Sequence, residues 1–377
     1  MTTDPSEKIL PWFALKSVPG IGNHFFKRLI NRFKLPERVF KASYEELAEV
    51  RGMTHRLVSA IQQHKFPDWI RKEIDLVAEK GYKIVTMSDP EYPSLLLHIP
   101  DPPPFLYVFG NLGNSAKNIA VVGSRNPTRY GISTTIRLCT DLASLKIAVI
   151  SGMARGIDTA AHDGAIMGRG KTIAVLGSGL DRVYPAENLK LFHEIAENGA
   201  VVSEFHLDAP PEAHHFPIRN RIISGISLGT VVVEAARRSG ALITARFAVK
   251  QGREVFAVPG NIHSFKSIGT HNLIKEGAKL LVSVQDIVDE LPHIIRSQIA
   301  KQEIDRNDIL EKLPPLSPEE LPVFKALGPY PVHIDDLGRK LSMDPGKLSS
   351  LLLQLELKGV VLQEPGKLFS IDVKDMI

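Results

Sequence analysis

The sequence is poor in cysteine. Cys139 is the single cysteine among 377 residues, which excludes an internal disulfide and any metal site built from several cysteines. Secreted proteins commonly use disulfides whereas cytoplasmic thiols stay reduced, so this composition favours the cytoplasm. Residues 1–12 show no charged segment followed by a long apolar one, and we therefore expect no signal peptide.

Long apolar runs and an extreme charge balance are also absent. No uncharged apolar stretch approaches the roughly 18 residues that a membrane helix needs, so we expect no membrane span. Hydrophobic residues make up 44% and charged residues 23%, which excludes a mainly disordered chain, a collagen and a coiled-coil rod. The net charge is +4. It permits a nucleic-acid partner without requiring one.

The positive charge is concentrated in two stretches. Residues 1–80 hold 14 Lys and Arg against 10 Asp and Glu, and residues 115–290 hold 20 against 16, so each has a net charge of +4. Because Lys and Arg supply most of the affinity for phosphates, any nucleic-acid site is expected in these stretches.

Residues 1–79 predict a small helical domain, SAM-like or helix-hairpin-helix-like. The turn at residues 18–22 (VPGIG) separates helical runs at 12–17 and 25–33. Turns of this type occur in helix-hairpin-helix units, where glycines let backbone N–H groups approach a DNA phosphate. A second turn at residues 50–53 (VRGM) lacks the final glycine. A helical packing domain that contacts no DNA is the open alternative.

Residues 80–291 predict an α/β domain. Short apolar β-branched runs alternate with helical stretches, a pattern typical of parallel strands buried on both faces. We predict an extended, doubly wound Rossmann-like sheet. Two earlier runs, 83–87 and 105–109, are expected to extend it. The main predicted strands are 119–122, 147–150, 172–176, 200–203, 230–233, 254–258 and 280–282. The predicted helices are 131–145, 157–168, 187–198, 217–226, 240–250 and 270–276.

The C-terminal part predicts a linker and a third domain. Residues 292–316 mix charges with prolines and are interpreted as a linker. Residues 317–377 show three helical runs and then two β runs, the plan of a winged helix. Asp344 precedes Pro345, a favourable start for the third helix. Since that helix has few basic residues, the pattern favours a protein-contact or regulatory role over DNA binding.

Glycine, serine and arginine recur in the loops after five predicted strands. Ligands of open parallel sheets bind at the carboxyl ends of the strands. Small residues let backbone N–H groups face an anion, and arginines add bidentate charge. Turns favour small residues in any case, but five aligned loops fit that explanation poorly. We expect Arg125 and Arg219 on such loops. The candidate binding residues are Gly123, Ser124, Arg125, Arg155, Phe216, Arg219, Asn220, Arg221, Ser239 and Gly240.

Known cofactor and catalytic patterns are missing. Residues 123–128 (GSRNPT) depart from the dinucleotide fingerprint, and no P-loop occurs. His162, His206, His214 and His215 show no metal-ligand spacing with cysteines or carboxylates, and we expect the last two to pack or to contact phosphate. No Ser/His/Asp arrangement stands out. The sequence therefore predicts a binding site with no metal, no cofactor and no enzymatic reaction.

Six motifs together resemble the DNA-processing protein A family (DprA, also called Smf). The Gly-Ser-Arg at 123–125 combined with Phe-Pro-Ile-Arg-Asn-Arg at 216–221 is the most specific pair. The resemblance covers residues 80–290 closely, and the flanking domains match longer members. The motifs lie at residues 120–125, 151–158, 177–181 with 184–185, 216–225, 239–245 and 258–261.

The resemblance implies a protein that binds single-stranded DNA without an enzymatic reaction. Such proteins protect incoming strands during natural transformation and load the recombinase RecA. The implied partners are single-stranded DNA, RecA, a single-strand-binding protein and a second copy of the chain. Arg125 would hold phosphate, and Phe216, Arg219 and Asn220 would line the pocket. Family members often have a basic residue just before the Phe-Pro pair, whereas residues 212–215 here are EAHH. This difference lowers the positive charge beside the implied pocket.

The resemblance also implies a homodimer formed through the end of the sheet domain, within residues 268–282. His271, Ile274 and Leu280 are the expected contacts. Part of this apolar stretch must instead close the last strand of the sheet.

Two other functions stay open at this point. Phosphoribohydrolase-like enzymes of the lysine-decarboxylase-like group have a Pro-Gly-Gly-x-Gly-Thr loop before a catalytic Glu. Gly229-Thr230 and Glu234 resemble part of that loop. Ser227-Leu228 replaces the Pro-Gly-Gly context here. A DNA-binding regulator that acts through the winged helix is the third reading.

Overall fold

The computed structural model describes residues 5–113, 117–299, 316–327 and 331–371. It divides into two compact units, Met1–Leu291 and Pro292–Ile377, which are described separately. Residues 300–315, most of the predicted linker, lie outside the described residues. No helix in the described ranges is both long and apolar enough to cross a bilayer.

The first unit begins with six helices, of which the sequence predicted three. The turn before the second helix has Gly20 at a φ of +88°, a conformation that favours glycine. Ser43 and Glu46 form a capping box that starts the fourth helix. The helices are α1 (Pro5–Ser17), α2 (Asn23–Phe33), α3 (Pro36–Lys41), α4 (Tyr44–Ala48), α5 (His55–Gln62) and α6 (Trp69–Glu79).

Nine strands form one sheet, and the predicted extended Rossmann-like domain is confirmed. The strands are β1 (Lys83–Thr86), β2 (Phe105–Gly110), β3 (Asn118–Gly123), β4 (Ala148–Ser151), β5 (Thr172–Val175), β6 (Gly199–Ser203), β7 (Gly229–Val233), β8 (Glu254–Ala257) and β9 (Lys279–Leu280). Their order is β1-β2-β6-β5-β4-β3-β7-β8-β9. β1 and β2 pair antiparallel, as does β2 with β6, and the other neighbours are parallel.

In the described part of the first unit, eight further helices lie between the strands or follow the last one. They are α7 (Ser94–Leu97), α8 (Arg129–Ser144), α9 (Ile157–Met167), α10 (Leu189–Glu197), α11 (His215–Ile226), α12 (Ala241–Lys250), α13 (Ile268–Lys275) and α14 (Val284–Glu290), with 3₁₀ turns at Ala186–Asn188 and Phe265–Ser267. Residues 293–299 form α15 and belong to the second unit.

The strand order creates a switch point beside β3. The chain winds from β3 through β4 and β5 to β6, and then returns to place β7 on the other side of β3. Connections leave β3 and β7 in opposite directions, so a crevice opens at their carboxyl ends. Ligands of doubly wound sheets bind at such a crevice.

The N-terminal helices share a hydrophobic core with the sheet. Phe13 of α1 stacks on Phe105 of β2 at a centroid distance of 4.2 Å and meets Tyr107 edge-on at 6.0 Å. Tyr107 donates a hydrogen bond to Glu73 of α6 at 2.9 Å. Residues on both sides of the predicted domain boundary at 79/80 therefore belong to one hydrophobic core.

We expect Phe13→Ala to lower the free energy of unfolding by about 3–5 kcal/mol, because it removes a buried aromatic ring from this shared core. Urea denaturation of the full chain measures the change. Leu35→Ala is the control, since Leu35 is 40% exposed. Unchanged stability in Phe13→Ala would show that the helices do not depend on the sheet.

The second unit has the predicted winged-helix plan. Besides α15, its elements are α16 (Glu320–Ala326), β10 (Val332–His333), α17 (Ile334–Leu341), α18 (Pro345–Leu357), β11 (Val361–Glu364) and β12 (Leu368–Ile371). Asp344 caps α18 by accepting hydrogen bonds from the N–H groups of Gly346 and Lys347 at 2.9 and 3.1 Å. The sheet order is β10-β12-β11.

The lysines at either end of α18 are both paired with glutamates. Lys347 Nζ lies 3.0 Å from Glu319 Oε1, and Lys358 Nζ lies 2.6 Å from Glu320 Oε2. Because these pairs compensate its positive charge, the third helix of the winged helix offers little attraction to phosphate.

Candidate functional site

A cleft of about 740 Å³ opens at the switch point of the sheet. Its walls are the loop after β3, the segment that enters α9 and the first turns of α11 and α12. These helix starts point backbone N–H groups and the positive ends of their dipoles toward the cleft, which favours anions. The lining includes Gly123, Ser124, Arg125, Ala154, Asp158, Tyr184, Phe216, Arg219, Asn220, Arg238, Ser239, Gly240 and Thr244.

The structure brings eight of the ten candidate binding residues together in this cleft. Arg155 and Arg221 are the exceptions. The eight are Gly123, Ser124, Arg125, Phe216, Arg219, Asn220, Ser239 and Gly240.

Arg155 lies on the surface outside the cleft lining. Its Nη2 donates to Glu187 Oε2 at 2.6 Å, and this ion pair raises the pKa of Arg155. The structure therefore does not bring Arg155 together with the cleft residues, and a neighbouring carboxylate already compensates its charge.

Arg221 is buried on another face of α11. Its side chain is 5% exposed, its Nε lies 3.2 Å from Asp101 Oδ2, and its Nη2 donates to Glu204. Residues two apart on a helix do not share a face, so Arg219 and Arg221 cannot both line the cleft. The structure places Arg221 in a buried ion pair and does not bring it together with the other candidate residues.

An aromatic and guanidinium cluster forms one wall of the cleft. The guanidinium carbons of Arg125 and Arg219 lie 5.4 and 5.9 Å from the ring centroid of Phe216, within cation–π range. The ring of Tyr184 is 5.7 Å from that of Phe216 and tilted by 49°. A Cβ at Gly177 would lie 2.8 Å from the Phe216 ring, so the glycine allows the ring to approach the backbone closely.

Arg125 is the exposed cation of this cluster. It follows β3 in the loop at the switch point, and among the described residues no carboxylate forms an ion pair with it. Its charge is therefore available to a ligand in the cleft.

Arg219 forms part of the buried floor of the cleft. It is 3% exposed. Its Nη1 donates to the carbonyl of Gly152 at 2.8 Å and to the carbonyl of Val175. Burial lowers the pKa of Arg219 to about 10, although Asp158 opposes this shift. The expectation that Arg219 lies on a loop is wrong, because it belongs to the second turn of α11.

Asp158 lies beside Arg219 near the start of α9. Burial raises the pKa of its carboxyl group, and the charge of Arg219 works in the opposite direction. The carboxylate also accepts a hydrogen bond from the N–H of Ala154 at 3.4 Å. Asp158 and Arg219 thus stabilise the loop between β4 and α9 that borders the cleft.

Glu234 does not line the cleft. It is 7% exposed and has a φ of +50°. Its carboxylate accepts hydrogen bonds from the N–H of Thr128 at 2.9 Å and from the Thr128 hydroxyl. The enzyme alternative requires Glu234 as a catalytic group. Its carboxylate instead holds Thr128 at the start of α8, which disfavours that alternative.

Arg238 and Tyr184 also line the cleft, although they were not among the candidates that the sequence suggested. Arg238 is exposed and precedes Ser239 in the loop after β7. The adjacent pair of arginines at 237–238 was a usable signal, but the sequence does not show which of the two faces the cleft. Tyr184 follows the loop after β5 and is 46% exposed.

The chain matches two family models. The model described as DNA recombination-mediator protein A matches residues 83–292, and the DprA winged helix domain matches residues 311–367. Protein Smf of Synechocystis is 34% identical over 386 residues, covering 94% of this chain and 96% of the relative. DNA processing protein DprA of Streptococcus pneumoniae is 45% identical over 206 residues, covering 54% of this chain and 73% of the relative.

Two solved structures share this fold at substantial identity. The X-ray structure of DprA from Streptococcus pneumoniae superposes with a TM-score of 0.64 at 34% identity, covering 76% of this chain and 99% of that one. The Helicobacter pylori protein, whose structure describes a single-stranded DNA binding mode, gives a TM-score of 0.51 at 31% identity and covers 55% of this chain and 94% of that one. The resemblance seen in the motifs is confirmed, and the chain belongs to the DNA recombination-mediator protein A family, also called DprA or Smf.

Proposed function

We propose that this chain binds single-stranded DNA in the cleft at the switch point. The observation that carries the proposal is Arg125, exposed and without an ion-pair partner among the described residues, 5.4 Å from the ring of Phe216. Single strands are held by positive charge along the backbone and by aromatic stacking of bases. This pair supplies both contacts side by side.

The size of the cleft supports a strand over a duplex. Its volume of about 740 Å³ lies in the range of pockets for small molecules. Individual nucleotides of a strand can enter such a pocket, whereas paired bases in a duplex are held in the stack. The helix starts and small residues around it contact phosphates, which gives little dependence on base sequence.

We infer that binding involves no chemical step. Glu234 is engaged by Thr128, as described above. His162 is fully buried beside Thr172, and burial lowers its pKa to about 3, so the imidazole is neutral near pH 7. Neither group faces the cleft as a general acid or base.

A comparison of single-stranded and duplex oligonucleotides of equal length tests the proposal. We expect a clear preference for the single strand, little dependence on its sequence, and weaker binding as salt rises, because phosphate contacts release counterions. Gel shifts at several salt concentrations measure all three. Equal affinity for a blunt duplex would refute the proposal.

Family membership supports a wider role in natural transformation. We propose that the chain protects incoming strands in the cytoplasm and loads RecA onto them, with a single-strand-binding protein as a further partner. RecA ATPase activity on strands coated with single-strand-binding protein tests this role. The chain should shorten the lag before activity, and an unchanged lag would count against loading.

We also propose a homodimer formed through the β9 edge. Leu280 and Val282 are 50% and 77% exposed, whereas Leu281 between them is buried. His271 is half-buried, with its Nε2 3.1 Å from the carbonyl of Gly260, and Ile274 is also half-buried. An edge strand with exposed apolar side chains favours pairing with another chain.

Leu280→Arg should convert the dimer to a monomer, because it places an unpaired charge in the proposed interface. Light scattering at micromolar concentration measures the change. Leu357→Arg, at a leucine 81% exposed in the second unit, should leave the assembly unchanged. A folded Leu280→Arg protein that stays dimeric would place the interface elsewhere.

A further inference from the structure

Two imidazoles and one carboxylate lie close together where the chain enters α11, whose first residue is His215. Ligand atoms of Glu212, His214 and His215 all lie within 4.8 Å of one another. His214 Nδ1 is 3.2 Å from Glu212 Oε2. Tetrahedral zinc with bonds of about 2.0–2.1 Å separates neighbouring ligand atoms by roughly 3.3 Å, so this pair already has the required spacing.

The backbone holds this turn in a compact form. The N–H of Glu212 donates to the carbonyl of Pro210 at 2.9 Å, and the N–H of His215 donates to the carbonyl of Glu212 at 3.0 Å. Pro210 and Pro211 further restrict the chain. The three side chains are therefore presented together by a short, braced segment.

Two contacts hold the ring of His215 in place. It stacks on Phe205 at a centroid distance of 4.1 Å, and its Nδ1 lies 3.1 Å from the carbonyl of Pro210. A carbonyl only accepts hydrogen bonds, so Nδ1 carries the proton and Nε2 keeps its lone pair. Histidines that bind metals commonly donate their other N–H to a backbone carbonyl in this way.

We propose that Glu212, His214 and His215 bind a divalent transition-metal ion of the zinc class. Imidazole and carboxylate together are suitable ligands for zinc. Three protein ligands leave a fourth position of a tetrahedral ion open to water or to another oxygen ligand. No metal site was expected from the sequence because it shows no regular ligand spacing, whereas the folded chain brings together residues of a compact Glu-x-His-His segment.

The ion would lie at the rim of the DNA cleft. The cleft is lined by residues directly beside the proposed ligands in the sequence, namely Pro211, Ala213 and Phe216. The carboxylate of Glu212 by itself repels phosphate, whereas a bound divalent ion reverses the sign of the charge at the rim. We therefore assign the open position to a phosphate oxygen of the strand, an assignment that rests on the proposed function.

Metal binding is tested first without DNA. The full chain, without a histidine tag and stripped of metal with EDTA, is titrated with Co²⁺ followed by visible absorption, and then with Zn²⁺ by calorimetry. We expect one ion per chain. His214→Gln and His215→Gln should each weaken zinc binding at least about tenfold. Losing a residue that only supports a metal ligand already lowers metal affinity by about 10–100-fold.

His206→Gln is the matched control. His206 is an exposed histidine whose Nδ1 lies 2.6 Å from Asp208 Oδ1, and this pair belongs to no three-ligand cluster among the described residues. It should bind zinc as the unaltered chain does. Absence of stoichiometric binding, or zinc affinity that neither cluster variant changes, would overturn the site.

The role of the ion is tested by single-strand binding in EDTA and with one equivalent of Zn²⁺. We expect zinc to tighten binding by the unaltered chain and by His206→Gln about tenfold, the size of one charge-assisted contact. The cluster variants should show no zinc effect. Zinc that binds without changing DNA affinity would overturn the phosphate contact. Failure of the unaltered chain to bind DNA in EDTA would count against the proposed function and not against the metal site.

Discussion

Arg125→Ala should weaken binding of single-stranded DNA about 10–100-fold while leaving the unfolding temperature unchanged. A hydrogen bond to a charged group contributes roughly 1.5–3 kcal/mol, and each 1.4 kcal/mol corresponds to about tenfold in affinity. Arg125 is exposed and has no ion-pair partner among the described residues, so its loss disturbs little inside the protein. Fluorescence anisotropy with a labelled oligonucleotide measures the affinity, and thermal denaturation measures the stability.

The matched control is Arg155→Ala. Arg155 is also an exposed arginine in a loop after a central strand, but it is paired with Glu187 and does not line the cleft. Its loss should change affinity far less. Arg125→Lys should fall between the two, since lysine keeps the charge but loses the planar group that stacks on Phe216. If Arg155→Ala weakened binding as much as Arg125→Ala, the cleft would not be the binding site.

The strands of the sheet could be predicted from the sequence because they are buried on both faces. β3 and β7 are continuous apolar runs that end at glycine or at a charged loop, and their observed bounds lie within a residue or two of the predicted ones. β9 is different. It lies at the sheet edge and ends at Leu280, although the apolar run continues through Val282. Composition alone does not distinguish an edge strand from the segment after it.

The helices and the candidate site were less predictable, for separate reasons. The first helical run was predicted over residues 12–17, yet α1 extends from Pro5 to Ser17 and includes Pro11. The burial of Arg221 depends on Glu204 and Asp101, which are distant in sequence and adjacent only after folding. Loop composition correctly grouped the residues around the switch point, but it could not distinguish an arginine exposed to ligand from one paired inside the protein.

Arg219→Met should destabilise the first unit by about 3–5 kcal/mol, in contrast to Arg125→Ala. Arg219 is buried, and its guanidinium donates to the carbonyls of Gly152 and Val175. Methionine fills similar space but leaves both carbonyls without this donor, and it removes the stronger of the two positive charges, Arg219 and Arg125, that act on Asp158. Buried polar groups deprived of one partner carry costs of this size. Urea denaturation of the full chain measures the loss.

The loss of stability in Arg219→Met should be smaller at pH 5 than at pH 8. Burial already raises the pKa of Asp158, and Arg219 opposes that shift, so removing Arg219 raises this pKa further. A carboxyl group whose pKa is raised by folding destabilises the folded state at pH values above that pKa, because the group is then charged. As the pH falls and the group is protonated, this destabilisation disappears. The difference between the unaltered and variant chains therefore decreases toward acid pH.

Asp158→Asn tests whether this charge is the cause. Asparagine keeps the shape of the side chain and removes the charge that Arg219 balances, so the double variant Arg219→Met/Asp158→Asn should be more stable than additivity of the two single changes predicts. Residues that share a network show such coupling, typically by 0.5–3 kcal/mol. Strict additivity, together with a loss that does not depend on pH, would mean that Arg219 acts through the carbonyls of Gly152 and Val175 alone.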